Sequence, residues 1–351
     1  MKSARWYGKE DVRIDNIPDL EFNDDQIKIK VKWAGISATD IHEYLNIPIL
    51  TPVKPNSNDI AHSVPMGHEF SGEVVEVGKN VKYTSVGDRV VVEPLISFGS
   101  SNTPQYKSYT FNTQLNGAGF SEYAIVSENR VHKLPEPISY EMGALVQPIS
   151  VGLEAIKRSK VNIGDTAVVV GAGPIGLTII EGLKSAGAKS VIAIELSQKR
   201  KELASLSGAD IVIDPNEIDP IEEIYKLTKG KGADISFEVT GVQAGFNICL
   251  DAIKAMGRLI VVSTWNKSIS IDLNKIVLGE KEILGTLCYN KDIFETAIKW
   301  VSDKKIKANG WISKKIYIDD LVSDGFKMLT GKNKNEEVRI LVTPDSSLIK
   351  K

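Results

Sequence analysis

The sequence predicts an α/β protein in two parts, a β-rich part and a doubly wound parallel sheet with helices on both faces. Its 351 residues are enough for two domains, each with its own core. Residues 1–148 show mainly strand patterns, whereas strands and helices alternate from Asp165 onwards. The last segment lacks a glycine-rich turn and is expected to return to the first part. We therefore predict one domain from residues 1–148 and 288–351, and a second from residues 149–287.

The first part is built from strand patterns separated by loops. Gln26–Trp33 alternates apolar residues with three lysines, which predicts a half-buried strand. Leu95–Gly119 is polar and predicts an excursion from the core, and Leu50–Val64 contains prolines and predicts a loop. The remaining predicted elements are strands at 72–77 and 88–92, strand patterning over 120–134, and helices at 140–146 and 151–159.

The second part begins with a strand ending at Val170 and a helix that follows a glycine-rich turn. Strands are then predicted at 190–194, 211–213, 234–238, 258–262 and 283–287, and helices at 198–206, 220–227 and 243–256. The last segment predicts helices at 293–301 and 321–329 and a strand at 338–342.

Composition excludes several classes of protein. The formal net charge of −2 leaves no basic excess to attract nucleic acid or an anionic membrane. The N-terminus lacks the apolar core of a signal peptide, and no apolar run reaches the length of a membrane span. Two cysteines exclude a disulfide framework, so we expect a cytoplasmic protein.

The glycine-rich turn Gly171-Ala172-Gly173-Pro174-Ile175-Gly176 lies between a β-branched run and an apolar helix pattern. Each glycine meets a steric need: Gly171 makes the turn, Gly173 lets the backbone approach a pyrophosphate, and Gly176 packs the helix on the strand. Pro174 and Ile175 open a helix whose N–H groups and dipole attract phosphate. The sequence thus predicts a Rossmann dinucleotide-binding domain; the alternative is a structural turn without a ligand.

Glu195 ends the next predicted strand, 19 residues after Gly176. A carboxylate at this position accepts hydrogen bonds from both ribose hydroxyls and repels a 2′-phosphate, which favours NAD over NADP. Arg200, in the first turn of the following helix, is a candidate to lie over the adenosine ribose. Its alternative is an ordinary solvated helix face.

The segment Gly67-His68-Glu69-Phe70-Ser71-Gly72 and its continuation to Gly78 closely resembles the GHE-x2-G-x5-G signature of zinc-containing medium-chain alcohol dehydrogenases. Within that superfamily, the segments AGISATDIHEYL, GDRVVVEP, GAGPIG and FEVTG are most similar to butanediol and sorbitol dehydrogenases. The resemblance spans essentially the whole chain. It implies a GroES-like β-barrel catalytic domain beside the Rossmann domain, NAD(H)-dependent alcohol or polyol chemistry, and a homodimer or homotetramer.

Several zinc-ligand positions of that family carry other residues here. The resemblance places Ser37 at a ligand Cys and Gln147 at a ligand acid or Cys, leaving only His68 and Glu69. Neutral serine and glutamine are poor zinc donors. The four cysteines of the structural zinc correspond to Phe98, Ser101, Pro104 and Asn112. We therefore expect no structural zinc and, at the catalytic position, an absent or rearranged metal.

The same resemblance places Thr39 and His42 at the hydroxyl and imidazole of the family's proton relay. Alternatives from the residues alone are a helix cap for Thr39 and a solvated side chain for His42. His68 is alternatively a core histidine, and Glu69 a carboxylate paired with a basic side chain. Thr240, Val262 and Thr286 lie at the ends of predicted parallel strands, where α/β folds bind ligands, and are assigned to the nicotinamide side.

These residues support three hypotheses. The first is a zinc-independent NAD(H) oxidoreductase in which Ser37, Thr39, His68 and Gln147 polarise a carbonyl by hydrogen bonds, favouring reduction of an activated carbonyl or alkene. Another keeps a rearranged metal site on His68 and Glu69 and oxidises diols or polyols. The last is an NAD-binding protein without catalysis.

Overall fold

A computed structural model describes residues 1–45, 63–97, 109–111, 118–332 and 334–349. The described chain divides into two compact units, Met1–Gln147 with Ile312–Lys351, and Pro148–Trp311. Residues 288–311, grouped with the first domain on sequence grounds, thus fall in the second unit. Glu181 accepts hydrogen bonds there from the backbone of Lys307 and Ala308.

The strands are named in chain order. They are β1 Lys2–Gly8, β2 Asp11–Asn16, β3 Gln26–Gly35, β4 Val64–Pro65, β5 Glu69–Val77, β6 Arg89–Val92, β7 Leu95–Ser97, β8 Tyr109–Phe111, β9 Tyr123–Ser127, β10 Val131–Lys133, β11 Thr166–Val170, β12 Ser190–Ile194, β13 Ile211–Ile213, β14 Ala233–Glu238, β15 Ile253–Val261, β16 Glu282–Gly285, β17 Ile312–Tyr317 and β18 Arg339–Thr343.

The α-helices are named in the same way. They are α1 Ala38–Tyr44, α2 Tyr140–Gly143, α3 Val146–Ser159, α4 Pro174–Ser185, α5 Gln198–Leu206, α6 Pro220–Leu227, α7 Gln243–Ala252, α8 Asn274–Val277, α9 Lys291–Ser302 and α10 Lys327–Thr330. A π-helical segment, Leu321–Phe326, directly precedes α10.

The first unit is built on a mainly antiparallel sheet in the order β10-β6-β5-β3-β18-β17, with β9 also pairing with β3. A smaller sheet holds β2, β1 and β4 in that order. Side chains from both sheets share one core that includes Trp6, Ile29, Phe120 and Phe326. This is the β-rich architecture that the sequence predicts, and β3 ends directly before the segment that carries α1.

The second unit is a parallel sheet in the order β13-β12-β11-β14-β15-β16. Its central strands β11, β12 and β14 are almost fully buried, as expected for a parallel sheet covered on both faces. The chain reverses its direction of progress across the sheet between β11 and β14. The carboxyl ends on either side of that point form the place where such folds bind nucleotides.

Some elements differ from the sequence prediction. Helix α7 ends at Ala252 rather than at Met256, because Ile253 pairs with Ala233 and starts β15. Helix α3 starts at Val146 and so contains Gln147. Lys28, expected on the solvent face of β3, is buried and pairs with Asp19 and Glu76 at 3.0 and 2.8 Å.

Two further observations concern the whole described chain. Cys249 and Cys288 are free and buried. Burial raises the pKa of the Cys249 thiol well above its ordinary value and that of Cys288 to about 12. No helix within the described residues is long and apolar enough to cross a membrane.

Candidate functional site

Ser37 is the N-cap of α1, and its hydroxyl is bound to Asp40. The Ser37 hydroxyl donates to Asp40 Oδ2 at 2.7 Å and accepts from the Asp40 backbone N–H at 3.0 Å. The Ser37 backbone N–H also donates to Asp40 Oδ2, which completes a capping box. Both residues are almost fully buried. The one proton of the serine hydroxyl therefore points at a carboxylate of the protein.

His68 and Glu69 lie beside this cap in the same unit. His68 Nδ1 is 3.8 Å from Asp40 Oδ1, and Asp40 Oδ1 also accepts a 3.3 Å hydrogen bond from Gly67 N–H. Burial lowers the pKa of His68, an effect that Asp40 opposes. The imidazole is therefore neutral near pH 7.

Glu69 is paired with the guanidinium of Arg339, which enters from β18. Arg339 also donates to the Ile36 carbonyl at 2.8 Å. Its complete burial lowers its pKa to about 10. A Cβ at Gly35 would come within 2.7 Å of both Glu69 Oε2 and Arg339 Nη2, so a glycine there leaves room for the pair. The paired-carboxylate interpretation of Glu69 matches this geometry.

Among the described residues, the donors at this position do not supply the three ligands of a catalytic zinc. Such a site needs three protein ligands of the thiolate, imidazole or carboxylate type. Here the Ser37 hydroxyl is bound to Asp40, and Glu69 is bound to Arg339. In the part of the chain that the structure describes, no group of three His, Cys, Asp or Glu side chains is placed to hold a metal. The structural-zinc positions Phe98, Ser101, Pro104 and Asn112 lie outside the described residues.

The relay candidates share one face of α1. Thr39 and His42 are three residues apart and both half-buried, and burial lowers the pKa of His42. Asp40 and Glu43 share the adjacent, buried face. Burial, assisted by the charge of Asp40, raises the pKa of Glu43 well above its ordinary value. Gln147 is buried in the first turn of α3.

In the second unit, the glycine-rich turn joins β11 to α4 as predicted. Gly171 has a φ of +98°, and a Cβ at Gly176 would collide with the carbonyl oxygen of Gly171. A Cβ at Gly173 would meet no atom within 4 Å, so space is open beside this residue. Gly173 is the N-cap of α4, and Pro174 and Ile175 form its half-buried first turn. The open side of the turn therefore leaves room for a ligand beside the start of α4.

Glu195 follows β12 and faces this turn. Its Oε2 accepts from the Ala172 backbone N–H at 2.8 Å, and its Oε1 accepts from the backbone of Leu196 and Ser197. A carboxylate has about four acceptor sites, so capacity remains for a ribose hydroxyl. Arg200 is half-buried in the first turn of α5.

Thr240, Val262 and Thr286 follow β14, β15 and β16 at the same edge of the sheet. Val262 N–H donates to the Glu238 carbonyl at 3.0 Å, and Thr286 N–H to the Val261 carbonyl at 3.0 Å. Thr240 is exposed, Thr286 is half-buried and Val262 is buried. Their backbones therefore continue the strand pairing just beyond the sheet.

Sequence reasoning missed three charged residues of these sites: Asp40, Glu238 and Arg339. The spacing of Ser37 and Asp40 is a visible capping-box signal. A single arginine in the apolar run at residues 338–342 and an acid ending a buried strand at 234–238 are weaker signals. Each marks a buried charge that needs partners, but the sequence does not show which ones.

Family comparisons agree with this architecture. Residues 23–136 match the alcohol dehydrogenase GroES-like domain, and residues 174–303 match the zinc-binding dehydrogenase domain. The chain is 42% identical to the (R,R)-butanediol dehydrogenase of Bacillus subtilis over 98% of this chain and 100% of that protein. The crystal structure of the 2R,3R-butanediol dehydrogenase from Bacillus subtilis has a TM-score of 0.89, covering 98% of this chain and 99% of that one.

Two further relatives bear on chemistry. A Saccharomyces cerevisiae protein named "probable diacetyl reductase [(R)-acetoin forming] 2" is 30% identical over 99% of this chain and 91% of its own length. The sorbitol dehydrogenase of Bacillus subtilis is 32% identical over 81% of this chain and 80% of its own length. The chain belongs to the medium-chain alcohol dehydrogenase superfamily and is an oxidoreductase of the butanediol and sorbitol dehydrogenase type.

Proposed function

We propose that this protein is a zinc-independent NAD(H) oxidoreductase that interconverts a small activated carbonyl, such as a vicinal diketone or hydroxyketone, with its alcohol. The observation that carries the proposal is that two candidate zinc ligands already have partners within the protein. The Ser37 hydroxyl is hydrogen-bonded to Asp40, and the Glu69 carboxylate is paired with Arg339. A zinc ion would have to displace both interactions. The names of the butanediol dehydrogenase and diacetyl reductase relatives support this substrate class.

NAD(H) is assigned to the second unit. The open side of Gly173 and the position of Glu195 beside the turn support a dinucleotide without a 2′-phosphate. Arg200 is assigned to the adenosine side and Thr240, Val262 and Thr286 to the nicotinamide side. When bound, the dinucleotide supplies a hydride to the carbonyl carbon or accepts one from the alcohol.

The first unit is assigned the task of handling the substrate oxygen. In the reducing direction the carbonyl oxygen develops negative charge and must gain a proton. Thr39, His68 and Gln147 carry hydrogen-bond donors that can polarise it. The Ser37 proton is committed to Asp40, so we assign Ser37 to holding α1 rather than to the substrate. His42, three residues from Thr39, passes the proton onwards.

Metal analysis and turnover together test the proposal. Protein purified without added zinc should contain far less than the one zinc per chain of a filled catalytic site. It should oxidise NADH in the presence of diacetyl or acetoin, and a chelator should leave the rate unchanged. About one tightly bound zinc per chain, with activity lost on its removal, would instead establish diol or polyol oxidation at a rearranged metal site. Tight NADH binding without turnover on diketones, hydroxyketones, diols and polyols would indicate a protein that binds NAD without catalysis.

We further propose that the protein is a cytoplasmic homodimer or homotetramer. Apolar side chains at one edge of the second unit are strongly exposed: Leu273 by 66%, Val277 by 70% and Leu278 by 84%. An exposed apolar patch is typical of a protein interface. Light scattering should give a multiple of the 38.4 kDa chain mass. Val277→Asp with Leu278→Asp should lower this mass, and a monomeric wild type would contradict the proposal.

A further inference from the structure

Glu238 is a fully buried carboxylate at the carboxyl end of β14. In the sheet it pairs with Val170 of β11, directly before the glycine-rich turn, and with Val261 of β15. It therefore lies beside the point where the order of strands reverses, and a dinucleotide bound there passes over it.

Four hydrogen bonds converge on this carboxylate. Glu238 Oε1 accepts from the backbone N–H groups of Thr240 and Gly241 at 2.7 and 2.9 Å, and from the Thr240 hydroxyl at 2.5 Å. Glu238 Oε2 accepts from the Ser263 hydroxyl. A Cβ at Gly245, in the first turn of α7, would come within 3.3 Å of Oε1, so the carboxylate also lies near the positive end of that helix.

These contacts fix the hydrogen-bonding direction of two hydroxyl groups. A carboxylate only accepts, so the protons of Thr240 and Ser263 both point inward to Glu238. The Ser263 oxygen then has lone pairs for a ligand at the edge, and the Thr240 oxygen, which accepts from the Val242 backbone N–H at 3.4 Å, keeps one. Thr240 is exposed and Ser263 half-buried, so both are within reach of such a ligand. They form acceptors suited to ribose hydroxyls or to the amide N–H groups of a carboxamide.

We propose that Glu238 is a positioning residue for the nicotinamide half of the cofactor, because it binds the hydroxyl protons of Thr240 and Ser263 and leaves their oxygens as hydrogen-bond acceptors. This rests on the proposed function, since it presupposes NAD(H) in the second unit. Adenosine is assigned to the other side of the turn, beside Glu195, which follows β12. The role of Glu238 should thus be confined to one half of the dinucleotide.

The test compares NADH with ADP, a probe that contains only the adenine half. Glu238→Gln keeps the shape but presents an N–H₂ donor to groups that themselves donate. We expect it to weaken NADH affinity at least about tenfold, the effect of losing a charge-assisted hydrogen bond, with ADP affinity unchanged. Thr240→Val removes one hydroxyl at an exposed position and should weaken NADH binding at least about threefold.

Ser236→Ala is the matched control. Ser236 is also buried on β14, but its hydroxyl donates to the Cys249 carbonyl at 2.9 Å, away from the edge. It should lower the melting temperature without changing NADH affinity. Unchanged NADH affinity in a folded Glu238→Gln, or an equal loss of NADH and ADP affinity, would overturn the inference. If Glu238→Gln does not fold, wild-type NADH affinity in both Thr240→Val and Ser263→Ala would overturn it. A wild type that binds neither probe would instead refute the proposed function itself.

Discussion

Asp40 accepts both protons that Ser37 offers, from its backbone N–H at 2.8 Å and from its hydroxyl at 2.7 Å. The serine therefore stabilises the start of α1, the helix that carries Thr39 and His42. Ser37→Ala should lower the free energy of unfolding by about 1 kcal/mol, the usual cost of losing a helix cap. Ser37→Thr keeps the hydroxyl and serves as control. Chemical denaturation measures both, and equal stability of the alanine variant and the wild type would contradict the capping role.

Glu69 and Arg339 form a buried pair in which each charge depends on the other. Arg339→Met leaves the Glu69 carboxylate without its cation and should destabilise the protein by about 3–5 kcal/mol. The double variant Glu69→Gln with Arg339→Met should lose less than the two single losses combined, because no buried charge remains unpaired. Asp319→Asn, which breaks the exposed pair with Lys2, is the control and should cost at most about 1 kcal/mol. If the losses of unfolding free energy in the two single variants add up to the loss in the double variant, Glu69 and Arg339 are not coupled.

Changing Gly173 and Gly176 to alanine should affect different properties, NADH affinity in the first case and stability in the second. A Cβ at Gly176 collides with the Gly171 carbonyl, so Gly176→Ala should lower the melting temperature markedly. A Cβ at Gly173 meets open space, and its backbone is extended, with φ of −71°. Gly173→Ala should therefore fold normally but bind NADH weakly, because the methyl group would project into the space that we propose for the pyrophosphate. Normal NADH affinity in this variant would place the phosphates elsewhere.

Glu195 should determine the choice between NADH and NADPH. Glu195→Gln retains one oxygen for the backbone contacts with Ala172 or Ser197, but it removes the charge that repels a 2′-phosphate. The ratio of kcat/KM for NADH to that for NADPH should fall at least about tenfold. Glu202→Gln, on the exposed side of α5, should leave this ratio unchanged. A wild type that prefers NADPH would show the assignment to be wrong.

Glu43 should make stability depend on pH. Burial, with the charge of Asp40, raises its pKa in the folded state well above the unfolded value. Between those two values the unfolded chain releases a proton that the folded chain keeps, so stability falls as pH rises above the unfolded pKa. In Glu43→Gln the side chain is an amide that does not titrate, so this pH dependence is absent. Relative to the variant, the wild type should therefore become less stable from pH 5 to pH 8.

Denaturation midpoints at the two pH values test this effect. The pH-dependent difference between wild type and Glu43→Gln should exceed the roughly 0.5 kcal/mol of an ordinary surface substitution. Glu10→Gln, the same substitution at an exposed carboxyl of the same unit, is the control. A constant difference between wild type and Glu43→Gln across the range would contradict an elevated pKa for Glu43.

The second unit was largely predictable because its signals are local. The strand, the turn and the start of the helix follow one another within about ten residues around Gly171. Glycines stand at the positions where this turn has no room for a side chain. The end of α7 was not predictable from local pattern. Apolar residues continue past Ala252, and only the pairing of Ile253 with Ala233, 20 positions earlier in the chain, turns them into a strand.

The candidate site of the first unit was harder to predict, because residues that contact each other there are far apart in the sequence. The resemblance located His68 and Glu69, but Arg339 is 270 positions away from Glu69 and carries no motif. Ser37 was assigned as a possible donor to the substrate, whereas the structure directs its proton to Asp40. A hydroxyl can donate only once, and which acceptor takes the proton depends on three-dimensional placement.

The burial of both thiols lowers their reactivity. Thiolates are the form of cysteine that peroxides and alkylating agents attack, and burial keeps Cys249 and Cys288 protonated at neutral pH. The groups proposed to act on the substrate are a hydroxyl, an amide and imidazoles. Under the proposed zinc-independent function there is no thiolate-bound metal for electrophiles or chelators to attack, so activity should survive a mild treatment with peroxide or an alkylating agent.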